Sequence, residues 1–182
     1  MCNSTLKISS TGSERCNQVT LLVHFVPERE VRDTVARLFQ QVEGRLRSLV
    51  PSGDVQHVGS TAIPGSLTKG DLDVQVRVVA SDYSAAKEKL SKIYAINIGG
   101  FASDDAVSFE DYSTEPSLGV HLTVIGGTAD IQWKFRDLLV ASADLREQYD
   151  QLKRRFDGGS MEKYREAKAE FVSRVLGGVD VV

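Results

Sequence analysis

Two hydrophobic periods succeed one another along the chain, and their order predicts the architecture. From Pro27 onward, Val31, Val35, Leu38, Val42, Leu46 and Leu49 recur at spacings of three and four, the period of an amphipathic helix. Glu28, Glu30 and Asp33 stand in its first turn, where carboxylates meet the positive end of the helix dipole, and Pro51 and Gly53 end it. A short strand is expected at Asp54–Val58. Residues 59–70 hold too much Gly, Ser, Thr and Pro for regular structure, and they read as a loop of the kind that forms active sites. Period two then takes over. Leu72, Val74, Val76 and Val78 point one way, and Asp71, Asp73, Gln75 and Arg77 the other, which predicts a strand over Asp71–Val79 with one buried face.

Ser81 is expected to cap a helix carrying Tyr83, Ala86, Leu90 and Ile93. Asn97–Phe101, Ala106–Glu110 and Leu118–Ile125 read as further strands, the last with Val120, Leu122 and Val124 opposite His121 and Thr123. Beyond Asp130 the period is helical again, through Phe135, Leu138 and Leu139, then Leu145, Tyr149, Leu152 and Phe156, then Tyr164, Phe171 and Val175. The expected fold class is therefore α/β in the α+β sense: a mixed β-sheet flanked by helices, with a helical C-terminal third. Residues 1–18, rich in Ser, Thr and Asn and without a period, read as a flexible tail, and 19–182 as one domain with no internal repeat or linker.

Composition narrows the class. A chain of 182 residues, 41% hydrophobic and 26% charged, is ordinary globular material, which excludes a disordered, collagenous or coiled-coil protein. Its two cysteines, Cys2 and Cys16, both fall in the predicted tail and supply no disulfide framework. No apolar run reaches the ~18–20 residues that span a bilayer, and the first residues lack the apolar stretch of a signal peptide. A soluble, cytoplasmic protein without a membrane partner is expected. With a net charge of -3 there is no overall positive field to gather nucleic acid, so bulk nucleic-acid binding is not expected. Six acids and no Lys or Arg lie between Asn97 and Asp130, whereas Lys134 to Arg174 holds ten bases against eight acids. An anion is thus expected on the helices or on the Gly/Ser loop.

Candidate chemistry concentrates in His57-Val-Gly-Ser-Thr-Ala-Ile-Pro-Gly-Ser-Leu-Thr-Lys-Gly-Asp-Leu-Asp73. Asp71 and Asp73, two apart on a strand, point to one side with Cα atoms about 6.6 Å apart, so their carboxylates can converge on one hard cation. Magnesium takes one or two protein carboxylates and completes its shell with water and phosphate oxygens. Gly59 allows a backbone to approach phosphate, and Ser60 offers a hydroxyl and an amide beside it. Either motif alone is commonplace on a solvated edge. A strand, a Gly-Ser turn, a ten-residue spacer and a strand with both acids on its polar face together describe a phosphate cradle facing a metal pair. Lys69 can reach a phosphate or simply be solvated. Lys168 interrupts the apolar stripe of Tyr164, Phe171 and Val175, so its ammonium either snorkels outward or neutralises an anion in a cleft. His57 at the strand end orients the turn, Arg136 reads as pairing with Asp137, and Trp133 as core.

At these residues the chain resembles a known pattern. Gly-Ser followed after about ten residues by Asp-x-Asp is similar to the signature of the nucleotidyltransferase superfamily. HVGSTAIPG with Lys69, then WKFRDLLVASADLREQYDQLKRRF and KYREAKAEFV, resembles the GrpB family, also called UPF0157, from about Val19 to Leu176. The resemblance implies a minimal nucleotidyltransferase fold. It implies nucleotide and phosphate binding by Gly59, Ser60, Lys69 and Lys168, and Mg2+ (or Mn2+) on Asp71 and Asp73, with a nucleoside triphosphate as substrate. Active superfamily members add a third acid from a neighbouring strand. That strand is expected at Gly119–Ile125, where the family shows His-Leu-His and this chain has His121-Leu122-Thr123. Imidazole and hydroxyl are poor substitutes for a carboxylate toward a hard cation, which leaves His121 as the best available base. Gly70 stands where the family often has Pro. The expected activity is transfer of a nucleoside monophosphate to an unidentified acceptor. The alternative is a nucleotide-binding or protein-interaction module without turnover, assisting a partner enzyme, as the fusion of family members to dephospho-CoA kinase suggests.

Overall fold

The computed structural model describes residues 21–177. The expected tail over 1–18 and both cysteines lie outside them. A two-residue strand β1 (Val26–Pro27) leads through a short 3-10 turn into α1 (Arg32–Leu49), followed by β2 (Asp54–Val58), a tight turn at Ser60–Ala62, and β3 (Leu67–Thr68). Then come β4 (Leu72–Val78), α2 (Tyr83–Ser91), β5 (Ala95–Ile96), β6 (Ala106–Asp111) and β7 (Leu118–Val124). Three helices close the chain: α3 (Gln132–Ala141), α4 (Ala143–Phe156) and α5 (Met161–Val175). No helix among the described residues is long and apolar enough to cross a membrane.

Five strands form one mixed sheet in the order β2-β4-β7-β6-β5. Only the β4–β7 pair is parallel, with Asp73 beside Gly119 and Gln75 beside His121, so β7 does flank the Asp-x-Asp strand as expected. The short pair β1–β3 stands apart. Because β4 alternates, its valines and Leu72 all turn to one face, where Val35, Val42 and Leu46 of α1 and Ala86 and Leu90 of α2 cover them. Burying each such side chain contributes about 1.5–3 kcal/mol. A second core joins α3, α4 and α5 through Leu139, Tyr149, Leu152, Tyr164 and Phe171, and draws in Val23 and Ile63.

Four sequence expectations change. The strand over Asp71–Val79 does not have a single buried face. Gln75 is fully buried on the opposite side, donating to Thr123 and Asp130 and accepting the Trp133 amide at the start of α3. Arg77 beside it is gripped by Asp130 and Asp54 and lies 4.5 Å from the Trp133 ring, so this polar face is sealed by a charge-paired network. Trp133 also donates to Asp130, and it serves that network, half-buried, more than an apolar core. The strand expected over Asn97–Phe101 is a turn after β5: the Asn97 backbone still donates to the Ser108 carbonyl of β6, but its side chain accepts the Gly99 amide and bends the chain away until Phe101 accepts the Ser108 amide. Ser81 does not cap α2; its hydroxyl goes to Asp82. At Gly70 the amide donates to Thr68 Oγ1, a bond that proline could not make.

Candidate functional site

The second face of the sheet, the loop after β2 and helices α3 and α5 enclose a cleft of about 540 Å³. Gly59, Ser60, Lys69, Asp71, Asp73, His121 and Lys168 all line it, so the folded chain brings together every residue singled out for chemistry. His57 is excluded, because the β2 register turns it to the other face, where it stacks on Phe39 at 5.0 Å.

Asp73 is the centre of the arrangement. Two glycines make room for it. Gly59 has φ +74, and a Cβ there would fall 2.9 Å from Asp73 Cβ and Cγ and closer still to the carboxylate; a Cβ on Gly119 would fall 2.9 Å from Oδ1. Any other residue at either place would push the carboxylate off. Burial would raise the Asp73 carboxyl, but the hydrogen bond from His121 and the charges of His121, Lys168 and Lys69 outweigh it and hold the group below the usual carboxylate range. His121 Nε2 lies 3.4 Å from Asp73 Oδ1, and its Nδ1 lies 3.0 Å from Ser108 Oγ. A carboxylate only accepts, so Nε2 carries a proton toward Asp73, while Nδ1 meets the serine hydroxyl, which can donate or accept. Phe101 stacks on the ring at 5.5 Å.

Asp71 sits one residue before β4, and Lys69 Nζ meets its Oδ2 at 2.7 Å. Burial works against the Lys69 ammonium, yet Asp71 holds its pKa above the ordinary lysine value. Lys168 is likewise held up against burial by Tyr164, Asp73 and Asp71, so both ammonium groups stay charged in the cleft. This places Lys168 inward on α5, whereas the middle strands contribute none of these cations. Ser60 Oγ donates to Thr68 Oγ1, which keeps the hydroxyl in the loop. The backbone of that loop is fixed from behind: Thr61 Oγ1 donates to the Asp71 carbonyl and accepts from His57 Nε2. Because burial pushes His57 down to about 4, it stays neutral and keeps this hydrogen in place. Arg136 pairs with Asp137 as expected and also donates to the His57 carbonyl at 2.7 Å.

Ser108 and Phe101 have no local signal in the sequence: the β6–β7 register sets Ser108 opposite His121, and the Ser108 amide, donating to the Phe101 carbonyl, brings that ring in. Glu110 shares that face, but its carboxylate takes the Tyr112 hydroxyl. Among the described residues no cluster of three or more His, Cys, Asp and Glu side chains is placed to hold a metal by itself. Two carboxylates beside two ammonium groups have the donor set that would suit a magnesium ion shared with phosphate oxygens.

Comparison with known proteins identifies the family and the fold. The family model described as GrpB protein matches residues 29–177. A UPF0157 protein of Vibrio cholerae is 30% identical over 161 residues, covering 85% of this chain and 82% of that one. A UPF0157 protein of Deinococcus radiodurans is 30% identical over 146 residues, 78% and 75% of the two chains. The crystal structure of GrpB from Enterococcus faecalis superposes with a TM-score of 0.60 at 17% identity, over 84% of this chain and 99% of that one, and so shares the fold. By sequence over most of its length, the chain belongs to the GrpB family.

Proposed function

We propose that the protein binds a nucleoside triphosphate in this cleft and transfers its nucleoside monophosphate to an acceptor hydroxyl or phosphate. One observation carries the reading: the Asp73 carboxylate, seated against the bare backbones of Gly59 and Gly119, lines the same cleft as Asp71 and two lysines. Asp71 and Asp73 are the residues that would hold magnesium, or manganese in its place, and the ion would supply charge neutralisation at the phosphates. Lys69 and Lys168 neutralise the remaining phosphate charge, and the Gly59-Ser60 backbone fixes the chain of phosphates against the sheet. In the transfer itself, the acceptor oxygen bonds to the α-phosphorus, the bond to the bridging oxygen breaks, and pyrophosphate leaves with the electron pair. His121 takes the acceptor proton.

That last role has a requirement. Both ring nitrogens of His121 are engaged, with Asp73 and Ser108, so the imidazole has to release one contact before it can accept a proton. This observation favours a second reading, nucleotide binding without turnover. The two separate in one assay: protein, magnesium and each triphosphate are incubated with a broad acceptor panel, and pyrophosphate and free phosphate are measured. Pyrophosphate supports transfer; nucleotide binding with neither product supports the second reading. Calorimetric titration of magnesium and ATP is expected to show binding to the natural chain and none to Asp71→Asn/Asp73→Asn. Equal binding by both overturns the site.

A further inference from the structure

The charged groups occupy only part of the cleft. Its remainder is walled by Ile63, Ile131, Phe135, Tyr164 and Val172, an apolar volume that a phosphate chain has no use for. One side chain of that wall is out of keeping with the rest. Gln132, the first residue of α3, lines the cleft one turn before Phe135 and Arg136. Its Oε1 is out of contact with solvent and has no hydrogen-bond partner among the described residues.

The contrast with its neighbours is sharp. Gln75, beneath the same helix end, makes three side-chain hydrogen bonds, to Thr123, Asp130 and the Trp133 amide. Asn97, Ser103 and Ser108, also on the cleft wall, are each engaged with the Gly99 amide, Asp105 and His121. Polar atoms out of water in a folded protein nearly always have a partner, and an orphan asks for one from outside the chain. A primary amide offers one acceptor and two donors side by side, the arrangement that pairs with the adjacent donor and acceptor on a nucleobase edge.

Resting on the reading of the cleft as a triphosphate site, we propose that Gln132 is its base-reading residue, pairing through its amide with the edge of a nucleobase seated against the apolar wall. Since Oε1 is out of water's reach where it stands, the pairing requires the side chain to turn its amide toward the cleft, and the order of donor and acceptor it then presents selects the base edge. The apolar wall supplies area and Gln132 supplies choice.

The test is titration of the full chain with ATP, GTP, CTP and UTP in magnesium, and with magnesium tripolyphosphate, which has no base. For the natural protein the best and worst nucleotides are expected to differ in Kd by about tenfold or more, within what one amide pairing to a base edge supports. Gln132→Leu is expected to narrow that span to about twofold while tripolyphosphate affinity is unchanged. Gln132→Glu, nearly the same shape but without the amide donors, decides the matter if the leucine variant does not fold: it is expected to reorder the four nucleotides. A natural protein that binds all four alike, or variants that keep its span and order, overturn the role of Gln132 and leave the triphosphate site standing. If the natural protein binds neither the nucleotides nor tripolyphosphate, the triphosphate site and the base-reading role fall together.

Discussion

Gly59 and Asp73 occupy a space that two ordinary residues could not share, and this coupling can be measured. Gly59→Ala is expected to cost about 3 kcal/mol in urea unfolding, part of it from the left-handed backbone at φ +74 and the rest from the clash with the Asp73 side chain. In Gly59→Ala/Asp73→Ala the contacts with the carboxylate and Cγ are gone and only the backbone part and the approach to the Cβ at 73 remain, so the double variant should fall short of the summed single costs by about 1 kcal/mol or more. Strict additivity would mean that the two residues do not contend for one space. His57 makes a second prediction at this scale. Its pKa is about 4 in the folded chain against 6.5 in the unfolded one. The unfolded state therefore takes up a proton as pH falls through 6.5 while the folded state does not, and stability is lost between pH 6.5 and about 4, by about 2–3 kcal/mol. His57→Gln should flatten that part of the stability profile relative to the natural chain. The Gly59 to Asp73 stretch was legible in the sequence because its chemistry is local. The direction in which His57 points was not, since the pairing of Val58 with Asp73 sets it.

Elements with a clean period were equally legible: α1, β2, β6, β7 and the three C-terminal helices stand where Val35 to Leu49, Val120 to Val124 and Phe135 to Val175 place them. Failures came where polar groups find distant partners. Gln75 and Arg77 alternate as if toward water, yet Asp130, from beyond β7, meets both and seals the face. Ile98, in the expected strand 97–101, is 98% exposed, because the turn around Asn97 leaves it nothing to pack on. Another distant polar pair joins α4 to β3. Lys153, fully buried, donates to Ser66, the Leu67 carbonyl and Asp150, while Asp150 also accepts from Ser66 and the Leu67 amide. Asp150→Ala strands a buried ammonium and is expected to cost about 3–5 kcal/mol in chemical unfolding. Lys153→Met leaves Asp150 with two donors and should cost clearly less. Burial lowers the Lys153 pKa to about 8 from 10.5. Between those values the folded state sheds a proton that the unfolded state keeps, so this lysine's contribution to stability rises with pH across the window, by about 3 kcal/mol. The difference between natural and Lys153→Met chains should show that rise; a flat difference would mean that the ammonium keeps its ordinary pKa.

At the scale of the molecule, the chain builds two cores, one between the sheet and α1 and α2, the other among α3, α4 and α5. The cleft lies where they meet: Asp71 and Asp73 come from the sheet side, and Phe135, Tyr164 and Lys168 from the helical side. Lys168 was legible as a break in an apolar stripe, but Gln132 carries no local signal, because its role depends on what the sheet brings opposite α3. A ligand seated there touches both halves and binds the folded chain only, so it stabilises the whole molecule through mass action. At a hundredfold excess over Kd the gain is about 2.7 kcal/mol, which for a domain of this size raises Tm by about 5–10 °C. Magnesium with ATP should produce this rise in the natural chain and in Lys153→Met, whose altered pair lies behind the loop. It should leave Asp71→Asn/Asp73→Asn unmoved, since without the two carboxylates nothing holds the cation between phosphate and sheet. A rise that persisted in that variant would place the bound nucleotide elsewhere, and the cleft between the two cores would lose its claim to it.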